Sequence, residues 1–178
     1  MAVPDGIDPV TRYNAAARAF HAVIAVLVIA NLTTGLLHEP LEDAVNLMPL
    51  HKSLGLTILV VSVARVLWRF TWKAPAYGPT VGRVDVALAK VAHALFYGLM
   101  LLLPLTGWIM SSGSQRPLAW FGVPVPKFDV VRESPLWETA HEGHELLGYL
   151  MLALAVLHIA AALRHHFILK DGVLRRMW

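Results

Sequence analysis

The sequence predicts an all-α membrane protein, a four-helix bundle of up-down-up-down topology with both termini in the cytoplasm. Three observations carry this expectation. Of 178 residues, 57% are hydrophobic and only 15% charged, and the mean hydropathy is +0.58, a composition suited to lipid rather than water. Four apolar runs each approach the roughly 20 residues that cross a hydrocarbon core of about 30 Å. Between them lie connections rich in Pro, Gly and charge, and Lys and Arg concentrate in alternate ones.

The first run, "AFHAVIAVLVIANLTTGLL" (19–37), predicts a helix over 18–37. Its N-terminal flank carries Asp5 and Asp8 and no persuasive small-residue cleavage site follows, so the run is expected to be retained as a span. "LHKSLGLTILVVSVARVLW" (50–68) predicts a second helix over 48–70, and "VAHALFYGLMLLLPLTGWIM" (91–110) a third over 90–112. "HELLGYLMLALAVLHIAAAL" (144–163) predicts the fourth, over 142–167. With no long linker, residues 1–178 read as one transmembrane domain. Arg65, Arg69, Lys73, Arg83 and Lys90 surround the second connection against Asp85, and Arg164, Lys170, Arg175 and Arg176 follow the fourth run against Asp171. The first and third connections hold most of the acids, which places them outside. A net charge of +3 therefore follows from membrane topology and calls for no nucleic-acid partner.

The chain has no cysteine, which excludes disulfides, iron–sulfur clusters, thiolate metal sites and thioether-attached haem. A cofactor must be held by His, Met, Tyr or carboxylate. Ionisable side chains inside a span are costly and mark functional interiors, so the nine histidines are the candidates. His144 and His158 lie fourteen residues apart, about four helical turns with a residual rotation of roughly 40°, and so share one face about 21 Å apart along the axis. His141 is turned about 100° away from His158. His165 and His166 are expected at the cytoplasmic interface. Helices one and three start inside, while two and four start outside. His51 therefore shares the outer level with His144, and His21 the inner level with His158. Two stacked pairs of imidazoles are what two bis-His cofactors require.

Small residues one turn beyond each of these histidines, Gly55, Gly148, Ala25 and Ala162, leave room for a flat macrocycle. The remaining histidines are mostly followed by larger side chains, as His93 is by Tyr97 and His141 by Glu145. His93, early in helix three, is the nearest rival and can replace His21 or His158 as a ligand; its other readings are a contact to a propionate or a place on a proton path. Zinc fits poorly, because a structural zinc needs its ligands around one point and these lie at two levels. The segment "HEGHE" also misses the zincin spacing by one residue. Haem fits better: two neutral imidazoles complete a six-coordinate, low-spin iron with no open position, a centre that transfers electrons.

"AFHAVIAVLVIA", "LHKSLGLTILVVSVARVLWR", "LPLTGWIMSS" and "HELLGYL…LHIAAALRHHFILKDGVLRRM" resemble the bacterial cytochrome b561 family, over residues 12–178. The resemblance implies a four-helix protein of the bacterial inner membrane with two b haems, related to the cytochrome b subunits of nickel hydrogenases and formate dehydrogenases. It implies His21 and His158 as axial ligands of the inner haem and His51 and His144 of the outer one. As some members are described as doing, it implies oxidation of superoxide at the outer face and delivery of the electron to ubiquinone. His93 and His141 match no family ligand.

Three functions follow as expectations. The first is quinone-linked electron transfer from a small-molecule or protein donor, with Lys52, next to His51, either drawing a small anion inward or snorkelling to the interface. The second is a membrane-anchor subunit fed by a partner hydrogenase or dehydrogenase. The third is a haem-free ion-binding or transport protein, which the lack of acids inside the spans disfavours. The aromatic third connection "RPLAWFGVPVPKFDVVRESPLW" (116–137) can cover the outer haem, frame a quinone entrance, or form an ordinary interfacial belt.

Overall fold

A computed structural model describes residues 12–76 and 81–177. Asp5 and Asp8, on which retention of the first span rested, lie outside the described residues. Four helices dominate: α1 (Ala15–Leu37), α2 (Met48–Phe70), α3 (Arg83–Ser112) and α4 (Pro135–Arg164), the last continuing into a π-helical turn, His165–Leu169. All four are long and apolar enough to cross a membrane. Local chemistry fixes their starts. The Asn14 side chain accepts the Ala17 N–H at 2.8 Å, capping α1. Ser134 does the same for Trp137 ahead of α4, with Pro135 pre-set for the first turn. Lys170, in a left-handed conformation, ends the π-helical turn.

Three helices begin earlier than hydropathy predicts, α1 by three residues, at Ala15 instead of 18, and the third and fourth by about two turns. The third starts at Arg83 instead of 90 and the fourth at Pro135 instead of 142. Their first two turns carry Arg83, Asp85 and Lys90, or Glu138 and Glu142, charges that a hydrocarbon interior disfavours. A hydropathy window reports contact with lipid, not helicity, and so loses such turns.

Packing runs in chain order, α1 on α2, α2 on α3 and α3 on α4. Ile24, Val28, Ile58, Leu99, Met100 and Met151 form a buried apolar layer midway along the helices. This layer separates the level of His51 and His144 from that of His21 and His158. Large apolar side chains also point outward, Val26 at 67% exposure and Leu157 at 66%, as expected where lipid is the solvent.

Both ends are tied down. At the inner end the buried Arg176 guanidinium donates to the carbonyls of Pro75 and Ala76, each at 2.8 Å, and lies 5.5 Å from the Tyr13 ring centre. His165, expected at the interface, is instead buried with its Nδ1 2.5 Å from Asp171, because the turn at Lys170 brings that carboxylate back under α4. At the outer end the third connection forms a hairpin, β1 (Ala119–Trp120) paired with β2 (Val123–Pro124), turned by Phe121 and Gly122 at positive φ. Trp120 Nε1 donates to Thr57 Oγ1 at 2.9 Å, and the Phe121 N–H to Ser53 Oγ at 3.0 Å. Ser53→Ala leaves that N–H unpaired, at a cost of about 1–3 kcal/mol. Faster proteolysis within 116–128 and a lower thermal midpoint in detergent are the expected results.

Candidate cofactor site

At the outer level, His51 of α2 and His144 of α4 face each other with ring centres 6.0 Å apart and planes at 85°. Each ring is held by the helix before it in the chain. His51 Nδ1 lies 3.1 Å from the Asn31 carbonyl and 3.4 Å from Thr34 Oγ1. His144 Nδ1 lies 3.0 Å from the Leu103 carbonyl and 3.1 Å from Thr106 Oγ1. A carbonyl only accepts, so each Nδ1 carries the proton and each Nε2 offers its lone pair to the space between the rings. The two threonine hydroxyls donate onward to the same carbonyls, Thr34 at 3.0 Å and Thr106 at 2.9 Å.

Gly35 and Gly107 let the rings come this close. A Cβ at Gly35 would stand 2.9 Å from His51 Cε1, and one at Gly107 would stand 3.0 Å from His144 Cε1. A cavity of about 410 Å³ opens between the imidazoles, and Gly55, Gly148, Met100 and Lys52 also line it. Asn31 Oδ1 is buried with no hydrogen-bond partner among the described residues. Leu118, just before the hairpin, also lines the cavity, so the third connection lies against its wall.

The inner level is built differently. His21 and His158 have ring centres 6.3 Å apart at 52°, and His93 stands 6.0 Å from the same His158. Arg65 reaches this level too, its guanidinium 5.6 Å from the Tyr97 ring centre. Arg18, one turn before His21, has a buried Nε with no partner among the described residues.

A family model described as Prokaryotic cytochrome b561 matches residues 12–178. The chain belongs to this family. It is 31% identical over 173 residues to "Cytochrome b561 homolog 2" of Escherichia coli (strain K12), covering 93% of this chain and 90% of that protein. It is 32% identical over 165 residues to "Cytochrome b562" of Cereibacter sphaeroides, covering 88% of this chain and 89% of that protein. It is also 32% identical over 128 residues to "Probable superoxide oxidase CybB" of Yersinia pestis, covering 72% of each. This member of the cytochrome b561 family is accordingly a multi-pass electron-transfer protein of the bacterial inner membrane, and the family implies haem b.

The residues present fit that group. Imidazole nitrogens bind metals at about 2 Å, so two rings on opposite sides of one iron have centres roughly 6 Å apart, the spacing seen at both levels. Ligating histidines usually donate their other ring N–H to a carbonyl or carboxylate, as the Nδ1 atoms of His51 and His144 do to the Asn31 and Leu103 carbonyls. Among the described residues no three His, Asp or Glu side chains converge on one metal position.

The other candidates scatter. His141 stacks on Trp137 at 5.0 Å and lies at the cavity mouth; His166 rests on Phe167. His38 Nδ1 meets the Gly35 carbonyl at 2.6 Å. Of the outer cations, Lys52 lines the cavity, whereas Lys127 Nζ donates to the carbonyls of Ser114 and Arg116. Reading the sequence missed Gly35, Gly107, Thr34 and Thr106. A signal was there: "TG" occurs on helices one and three, fourteen residues beyond His21 and His93 respectively.

Proposed function

We propose that this cytochrome b561 family protein holds two b haems and carries single electrons between a donor at the outer face, superoxide foremost, and ubiquinone in the membrane. The outer pair of facing imidazoles, His51 and His144, each with its Nδ1 proton directed to a backbone carbonyl, is the observation that carries this reading. Haem b, when bound, supplies a one-electron centre whose iron changes oxidation state without changing ligands.

In this reading His51 and His144 ligate the outer iron and His21 and His158 the inner one. Gly55 and Gly148 leave room beside the outer macrocycle, as Ala25 and Ala162 do beside the inner. The tied rings of His51 and His144 keep the reorganisation on electron transfer at the outer level small, and the apolar layer of Ile24, Val28, Ile58 and Met100 excludes water and ions between the levels. Arg18 and Arg65 bring positive charge to an inner level where α1 and α2 have no acid, which suits the anionic propionates of a haem. Lys52, on the rim of the outer cavity, draws a small anion toward it. The likeness to a relative named a probable superoxide oxidase supports the choice of donor.

Detergent-purified protein is expected to give about two b haems per chain by pyridine haemochrome. Superoxide generated enzymatically should reduce both and, with ubiquinone present, yield ubiquinol. Colourless protein would overturn the cofactor assignment, while haems that superoxide leaves oxidised would shift the donor to a partner protein. Lys52→Glu is expected to slow reduction by superoxide roughly threefold to tenfold at low salt, with the difference shrinking as salt screens the charge. Arg65→Met should lower the potential of the inner haem by about 60 mV, equivalent to a tenfold change for a one-electron couple, read by redox titration.

A further inference from the structure

The inner level holds more imidazoles than one iron can take. His21 on α1 has its ring centre 6.3 Å from that of His158, and His93 on α3 has its own 6.0 Å away from the same ring. Both match the roughly 6 Å spacing of two imidazoles across one metal. Since no three such side chains among the described residues converge on one metal position, His21 and His93 are alternatives rather than joint ligands.

An internal repeat explains the surplus. Gly35 on α1 and Gly107 on α3 each receive an outer imidazole, and His21 and His93 each lie fourteen residues before their glycine. Counting along the partner helices, His158 lies fourteen residues beyond His144, and Arg65 fourteen beyond His51. The bundle is therefore a duplicated helical hairpin, with α1 matching α3 and α2 matching α4. At the outer level each copy supplies one imidazole. At the inner level α1 and α3 both supply one, but only α4 supplies its counterpart. Arg65 stands where α2 would place another histidine, and a guanidinium has no lone pair to offer iron. Two first ligands thus share one second ligand.

The rings also differ in freedom. Both outer imidazoles are tied through Nδ1 to a carbonyl, whereas among the described residues no hydrogen bond reaches a ring nitrogen of His21, His93 or His158. Untied rings can turn to meet an iron from either side helix. We infer that His93 is a reserve axial ligand of the inner haem, able to take the place of His21 opposite His158. Exchange between them keeps the iron six-coordinate and bound to two imidazoles. The inference rests on the two-haem reading of the preceding subsection.

The test compares unaltered protein with His21→Ala, His93→Ala and the double variant, using haemochrome counts and electron paramagnetic resonance of the oxidised proteins. About two haems, all low-spin, are expected in the unaltered protein and in both single variants, with the inner signal of His21→Ala shifted in g value. About one haem is expected in the double variant. The outer haem, whose ligands are untouched, reports that each bundle has folded, and His21→Gln serves as a second, polarity-conserving replacement. Loss of the second haem, alone or with the first, in both His21→Ala and His21→Gln overturns the proposal. So does a second haem that turns high-spin in those variants, one lost in His93→Ala, or a double variant that keeps two low-spin haems. Fewer than two haems in the unaltered protein would instead refute the two-haem reading itself.

Discussion

His144→Ala is expected to leave about one b haem per chain instead of the two proposed, and the lost haem should be the one on the side of the proposed superoxide donor. Losing a residue that merely orients a metal ligand typically weakens binding by about 10–100-fold, so loss of the ligand itself should cost more than about 100-fold. Stability of the bundle should suffer less. The Leu103 carbonyl that receives the His144 ring is also hydrogen-bonded by the Thr106 hydroxyl, so the substitution strands no acceptor. The remaining inner haem should then answer dithionite but respond slowly to superoxide, because the proposed outer step of the path is gone. Thr106→Val separates orientation from ligation. It keeps His144 and the Leu103 carbonyl, and should lower outer-haem affinity by about 10–100-fold without abolishing binding. A reduced-minus-oxidised spectrum with a haemochrome count on the two variants checks both results. Equal haem content in His144→Ala and unaltered protein would remove His144 from the ligand set.

The architecture could be read from the sequence because lipid imposes one rule throughout: every apolar run must be a helix long enough to cross. Polar helix ends obey other rules, so Arg83–Ala89 and Pro135–His141 escaped a hydropathy reading although capping signals such as Ser134-Pro135 were present. Periodicity and alternating direction were enough to bring His51 to the level of His144 and His21 to that of His158; the ring centres lie 6.0 and 6.3 Å apart, and that of His93 lies 6.0 Å from His158 as well. What holds the rings belongs to contacts between helices. Gly35 meets His51 from the neighbouring helix, and the requirement for glycine arises from a ring sixteen residues along the chain. His165 illustrates the same limit: its partner Asp171 lies beyond a left-handed turn that no helical period extends through.

Gly35→Val should deplete the outer haem almost as thoroughly as removing a ligand. A Cβ at Gly35 would lie 2.9 Å from His51 Cε1 and 3.2 Å from Nδ1, where carbon atoms prefer about 3.5–4.0 Å. Retreat by the ring stretches the 3.1 Å contact from Nδ1 to the Asn31 carbonyl and moves Nε2 by roughly the same 0.5–1 Å, beyond the tolerance of about 0.5 Å for a working site. Gly107→Val should act on His144 in the same way, since its Cβ would lie 3.0 Å from Cε1 and 3.3 Å from Nδ1. Gly98→Ala is the control. Nothing lies within 4 Å of its added Cβ, so haem content should hold while the helix gains up to about 1 kcal/mol from the better helix former. Gly148→Leu then separates protein contacts from cofactor contacts. Gly148 lines the outer cavity, yet no protein atom beyond its own helix backbone and chain neighbours lies within 4 Å of a Cβ placed there. If that substitution empties the outer site, the group it collides with is the macrocycle beside His144. If the haem stays, the macrocycle lies against another wall of the cavity, and Gly148 owes its small size to something else.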